Sequence, residues 1–254
     1  RPLPNWAGVD DEMIARFAWF CDCAERNGIR LIVDLHTPPG GRDKDGEVRL
    51  YHDKALAARF VDFWRKTAAR FKGNHDVIYG YDLLNEPVQN RPALPDCDYW
   101  TVQKRAAEAI RESDSETSII VAPKCWGLSD GFRHFPALDL DNVIYTVHVY
   151  EPHDFTHQGV QKQWPCGVAW PGKDAKGVWR DIRWLDEKLR PVRAFAYDHK
   201  AKILVGGKGR IDFLKIPRHA AGHGKDVQHL PNWHTVGFPA PELHAVRNGQ
   251  LGHD

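Results

Sequence analysis

The sequence predicts an α/β protein of the βα-barrel type, and three observations carry that expectation. Helix and strand patterns alternate along the chain, the strands are short apolar runs suited to burial on both faces, and each ends on polar residues. No Gly-rich phosphate turn follows any strand, and Gly40-Gly41 is not such a fingerprint. That sets a barrel ahead of a doubly wound nucleotide-binding sheet.

Asp10 or Asp11 can cap a first helix whose apolar face is Met13, Ile14, Phe17, Cys21 and Ala24, with Gly28 as its stop. Ile29–Leu35 is then a strand that delivers His36 at its end, ahead of the turn Thr37–Gly41. Residues 42–52 are polar and loop-like. Asp53 caps a second helix that turns Leu56, Phe60, Phe63, Trp64, Thr67 and Phe71 to the core and stops at Gly73. The next strand starts at Val77 and closes on Asn85-Glu86-Pro87. Pro87 cannot donate to a sheet ladder, so the strand stops there with Glu86 at its carboxyl end, the edge that carries chemistry in parallel α/β sheets.

A helix near Asp98–Ser113, a strand at Thr117–Ala122, a helix-like or irregular connection and a strand at Asn142–Tyr150 follow. Glu151–Gly177 bears Trp, Pro and Gly and is expected to loop over the sheet edge. Val178–Leu189 predicts helix, Pro191 opens a second helical piece to about His199, and Lys202–Val205 is the last clear strand. From Gly207 onward periodicity is lost, with Ile211–Ile216 and His234–Phe238 at best short strands. The division expected is therefore 1–206 as a partial barrel domain and 207–254 as a divergent tail.

Composition narrows the function classes. The 254 residues suffice for one large domain, and Lys+Arg 35 against Asp+Glu 34 leaves +1, which points to neither nucleic acid nor an acidic membrane surface. No apolar stretch approaches membrane-spanning length, and the first residues carry no signal-peptide pattern. Five Cys without paired CxxC spacing are expected as free buried thiols. Ten Trp against one Met suggest flat apolar platforms suited to sugar rings.

Three strand ends present His36, Asn85-Glu86, and His148 with Tyr150. In a closed parallel barrel such positions converge on one mouth. His148 and Tyr150 alternate on one strand and so share a face. A lone Glu in a loop is more often a cap or an ion-pair partner, and a lone His more often a satisfied core group. The set as a whole is a proton donor, two imidazoles and a phenol around a polar ligand. HExxH zinc spacing and a Gly-x-Ser-x-Gly nucleophile turn are both missing, so neither metal nor cofactor is expected. Trp126, Trp164 and Trp170 are further candidates for sugar stacking. His219 and His223 have a metal-pair spacing, but Gly222 and Gly224 argue against the helix it would need.

The strand ending in Asn-Glu-Pro, the earlier Asp34-Leu-His36, the later His148-Val-Tyr150 and the stretch Tyr150–Gly159 together resemble the family-5 glycoside hydrolases, the cellulase family. The resemblance covers about residues 10–206 and implies a (β/α)8 TIM barrel, incomplete here, with about strands three to seven recognisable. It implies cleavage of β-1,4-glucan or a related β-glycan with retention of configuration, by a monomer, secreted or periplasmic. By resemblance Glu86 is the general acid/base and Asn85 holds the hydroxyl beside the cleaved bond. His36, His148 and Tyr150 line the subsite of the distorted sugar, with Tyr150 also placed to bond the nucleophile carboxylate. A retaining enzyme needs two carboxyl groups about 5–5.5 Å apart.

The chain departs from the family at one decisive point. The nucleophile Glu should follow a strand ending Val-Gly-Glu, and here Ile203-Leu-Val-Gly-Gly207 puts glycine in its place. The first carboxylate after it is Asp212. The family's first two strands, with an Arg that supports the nucleophile, would precede residue 1, and its eighth strand is not recognisable, Trp233 being a weak candidate for the stacking Trp there. The expectation is a fragment or frame-altered member that lacks its nucleophile, or a non-catalytic β-glycan-binding remnant. Glu151 and Asp154 are the alternative carboxylates, and Glu151 set about 6.5–9.5 Å from Glu86 would permit inversion in principle.

Overall fold

The computed structural model describes residues 11–160, 162–206, 233–236 and 242–247. Its strands are β1 (Ile29–Asp34), β2 (Ile78–Asp82), β3 (Ser118–Val121), β4 (Val143–His148), β5 (Gly172–Lys173), β6 (Trp179–Arg180), β7 (Lys202–Gly206), β8 (Trp233–Val236) and β9 (Glu242–Arg247). Five of them, β1, β2, β3, β4 and β7, pair in parallel and in chain order, as expected for consecutive βα units.

The helices between them follow their sequence signals. Helix α1 (Asp11–Arg26) ends before Gly28, whose φ of 62° suits glycine. Helix α2 (Lys54–Phe71) begins where the Asp53 carboxylate accepts from the Ala55 and Leu56 amides, and α3 (Tyr99–Arg111) where Asp98 accepts from Trp100 and Thr101. On α2 the Phe60, Phe63, Trp64, Thr67 and Phe71 side chains are buried, and the Trp64 indole N–H donates to the Leu83 carbonyl at 3.1 Å. On α3 the buried Gln103 amide donates to the Ala122 carbonyl and accepts from its N–H, which fixes the end of β3 to its helix.

Alternation along the strands sorts the core into two layers. Leu31, Val33, Ile119, Val121, Tyr145 and Val147 face the helices. Ile32, Ile120 and Ile144 form a separate buried cluster on the opposite face. Ile32 and Ile120 come from strands separated by β2, so the sheet must curl for their side chains to meet. Gly80 makes room between them: a Cβ there would lie 3.1 Å from Ile120 Cδ1. The mouth residues sit at the carboxyl edge of this curled sheet.

The structure corrects the sequence expectation between residues 178 and 189. Trp179–Arg180 form β6, paired antiparallel with β5, and helix α5 (Ile182–Lys188) starts only after Asp181, whose carboxylate takes its N-cap. Arg180 is drawn out of helical register by its ion pair to Asp154, on the short helix α4 (His153–Thr156). Helix α6 (Arg190–Asp198) carries Pro191 near its start, as expected. The free-thiol expectation also needs amending. All five Cys are free, and Cys21 and Cys97 are buried, but Cys125 and Cys166 are exposed.

Strand β9 pairs antiparallel with β1 from Ile29↔Arg247 to Asp34↔Glu242, and β8 pairs with β9. The short strand expected around His234 is present as β8, and β9 was not foreseen. Ile211–Ile216, Gly207, His219 and His223 lie outside the described residues. No helix among the described residues is long and apolar enough to cross a membrane.

Candidate active site

Glu86 lies four residues beyond β2, in a left-handed turn at φ 47°. A non-glycine side chain adopts that conformation only against a cost, so neighbouring contacts must hold it. His148, the last residue of β4, brings its Nδ1 to 2.9 Å from Glu86 Oε1. With the carboxylate ionised, Nδ1–H donates, and the far edge of the ring lies against Gly206 at the end of β7. A Cβ at Gly206 would stand 3.2 Å from His148 Cδ2. The His148 backbone N–H donates to the Gly127 carbonyl at 2.9 Å.

His36 follows β1, and its Nδ1 donates to the buried Asp34 carboxylate at 3.0 Å. In a neutral imidazole this leaves Nε2 as the acceptor, 3.4 Å from Asn85 Nδ2. Asn85 thereby turns its amide nitrogen to His36 and keeps its carbonyl oxygen for another partner. The Tyr150 and His148 rings meet edge to face at 6.2 Å. Burial raises the Tyr150 pKa and the Glu86 charge adds to that, so the phenol holds its proton through neutral pH and remains a donor. His36, Asn85, Glu86, His148 and Tyr150 therefore share one mouth, and Trp126 stands beside it. The Trp126 backbone N–H donates to the Pro87 carbonyl at 3.1 Å, and the residue is 42 % exposed.

Sequence reasoning missed the arginines that assemble this mouth. The Arg42 guanidinium donates through Nη2 to the carbonyls of Asn85 (2.7 Å) and Glu86 (3.0 Å) and through Nη1 to that of Gly46 (3.0 Å). Its Cζ lies 5.3 Å from the centre of the Trp126 ring. Burial lowers the Arg42 pKa from its ordinary value, and the nearby Tyr51 and Glu86 oppose that shift. In the other direction Arg91, from the loop after β2, donates to Asp43 (2.6 Å) and to Glu47 (3.0 Å). Burial pushes the Glu47 carboxyl up, but hydrogen bonds from His52 and Arg91 outweigh it and leave its pKa below the ordinary value.

Of the alternative carboxylates, Asp154 is committed elsewhere: Arg180 holds it in a two-pronged pair at 2.6 and 2.8 Å. Those hydrogen bonds, outweighing burial, lower the Asp154 pKa. A depressed carboxyl stabilises the fold above its unfolded value near 3.9 and loses that contribution as pH falls through the folded-state value. Acidification below about pH 4 should therefore raise hydrogen exchange in the β5–β6 hairpin first. In Asp154→Asn the hairpin should exchange fast at every pH. Trp170 packs on Phe155 and Trp184 at 6.3 and 6.4 Å, so it anchors the loop. Among the described residues no group of three His, Cys, Asp or Glu is arranged to hold a metal ion.

A curled parallel sheet with its polar groups at the carboxyl edge defines an incomplete (β/α)8 barrel, and solved structures agree. The cellulose synthase subunit Z of Clostridioides difficile superposes with a TM-score of 0.63 at 20% identity, over 81% of this chain and 64% of its own. Endoglucanase Cel5A of Thermotoga maritima gives 0.62 at 23% identity, over 76% and 59%. The model of the Cellulase family, glycosyl hydrolase family 5, matches residues 2–219, and the chain belongs to that family. Endoglucanase C of Acetivibrio thermocellus is 33% identical over 138 residues, 54% of this chain and 38% of that protein. Cellodextrinase A of Ruminococcus flavefaciens is 28% identical over 158 residues, 61% and 46%. The chain thus spans less than half the length of these curated relatives.

Proposed function

We propose that this chain holds a β-1,4-glucan or a related β-glycan against Glu86, the general acid/base of a retaining glycoside hydrolase, and that it lacks the nucleophile this reaction needs. The 2.9 Å bond between Glu86 and His148 at the mouth of the sheet carries the reading. It holds a partly exposed carboxyl at the open edge of the sheet, with an imidazole nitrogen in hydrogen-bond contact, a setting that suits proton transfer to a departing oxygen. Asn85 accepts from a hydroxyl of the sugar preceding the cleaved bond through its free carbonyl oxygen, His36 lines the same subsite, and Tyr150 supplies an O–H to the opposite side. In this chain Gly207 stands where the family's nucleophile would be, and glycine has no group to attack the anomeric carbon. The parent protein's export, secreted or periplasmic, belongs to the same proposal.

A second reading, a β-glycan-binding remnant without turnover, draws on the exposed Trp126 ring, since stacking and hydroxyl bonds do not require a nucleophile. Calorimetric titration with cellotetraose, pull-down on insoluble cellulose and reducing-sugar release test the β-glycan assignment that both readings share. We expect saturable binding, and hydrolysis no faster than in Glu86→Gln. Hydrolysis that Glu86→Gln abolishes would show that a nucleophile is present after all. Failure to bind either glycan would remove the β-glycan assignment.

A further inference from the structure

We propose that Arg42 is a positioning residue, which holds the left-handed turn at Glu86 and the Trp126 ring in one fixed relation. The inference rests on the reading of Glu86 as the acid/base, and its geometry stands apart from that reading. Three loops meet at this guanidinium. Nη2 is shared by the carbonyls of Asn85 and Glu86, which belong to the two peptides on either side of the strained residue's Cα. Nη1 takes the carbonyl of Gly46, at the tip of the small hairpin in which Arg42 bridges to Val48. The Trp126 ring closes over the charge and against Gly46, where a Cβ would come within 2.7 Å of the indole.

Each of these features is difficult to keep alone. Glu86 at φ 47° is disfavoured for a side chain with a Cβ, and so is Trp126 at φ 62°. Both turns persist only if something over-determines them. A planar fork with several fixed donors can bind two adjacent carbonyls and a third on another loop, and can still offer its face to an indole. A lysine ammonium can do only part of this. The reciprocal clamp from Arg91 to Asp43 and Glu47 fixes the hairpin from which Arg42 projects. Arg42 does not reach the reacting atoms. It acts through the backbone of Glu86.

The test is Arg42→Ala and Arg42→Lys in the full chain, read by two signals that need no turnover. One is the downfield imidazole N–H proton resonance of His148, which exists only while its Nδ1 is hydrogen-bonded to Glu86. The other is cellotetraose affinity by calorimetry. In Arg42→Ala we expect the resonance to vanish and affinity to fall at least about tenfold, about 1.4 kcal/mol. Guanidinium ion at millimolar, non-denaturing concentration should restore both, and Arg42→Lys should not regain either in full. If Arg42→Ala does not fold, Arg42→Lys decides alone. A resonance and an affinity unchanged in a folded variant would overturn the inference. If the unaltered chain shows the resonance but binds no cellotetraose, the β-glycan assignment fails and the resonance alone decides Arg42: its loss in the variant supports the positioning role, its persistence refutes it.

Discussion

Azide is expected to switch on cleavage of dinitrophenyl β-cellobioside by this chain. A retaining glycosidase splits its reaction between a carboxylate that attacks C1 and a second group that protonates the departing oxygen. In the function proposed for this chain Glu86 supplies the second role, and Gly207 stands in the sequence where the first would be. Losing the nucleophile from a concerted catalytic unit costs on the order of 10⁴–10⁶ in rate. A small anion can enter the space a carboxylate would fill and make a single displacement. An azide nitrogen bonds to C1 from the α face as the C1–oxygen bond breaks, and dinitrophenolate leaves with the electron pair. The product is α-cellobiosyl azide, which nuclear magnetic resonance distinguishes from the β anomer. Molar azide should raise the rate at least about a hundredfold, roughly 2.7 kcal/mol of barrier. A rate indifferent to azide, or a β-configured azide product, would contradict the missing-nucleophile account.

Glu86→Ala should then sort substrates by their leaving groups. Proton donation by a positioned carboxyl is worth about 10²–10⁴ when the departing oxygen is strongly basic, and little when the departing anion is already stable. With azide present, the variant should cleave the dinitrophenyl glycoside within about tenfold of the unaltered chain. Plain phenyl β-cellobioside should fall by about 10²–10⁴. An equal loss on both would assign Glu86 a binding role only. His148→Ala should reproduce part of the same selectivity, because without its N–H the charge on Glu86 loses its partner at 2.9 Å.

The parts of this molecule that were legible in the sequence are those written locally. Asp53 and Asp98 announce their helices because a cap needs only the next three residues. His36, Glu86 and His148 stand out because each lies at or just beyond the end of an apolar strand, and the carboxyl edges of parallel strands gather in space. Arg42 was invisible because its partners are backbone carbonyls 43 and 44 residues away, and a carbonyl has no residue type to read. The late start of α5 was hidden for a related reason. Residues 178–181 have a composition compatible with helix, and the ion pair that diverts Arg180 joins it to Asp154, 26 positions earlier. Strand β9 is six residues long with imperfect alternation, so only its pairing with β1 identifies it.

That last pairing changes how the molecule meets copies of itself. A half-barrel cut from a closed ring would present β1 as a bare margin of backbone donors and acceptors, the template on which sheets of different molecules fuse. Here the chain spends its own C-terminal hairpin on that margin, and every residue from Ile29 to Asp34 has an antiparallel partner. Intermolecular zippering along β1 is thereby forestalled, and the outermost positions of the sheet pass to β7 on one flank and to β8 on the other.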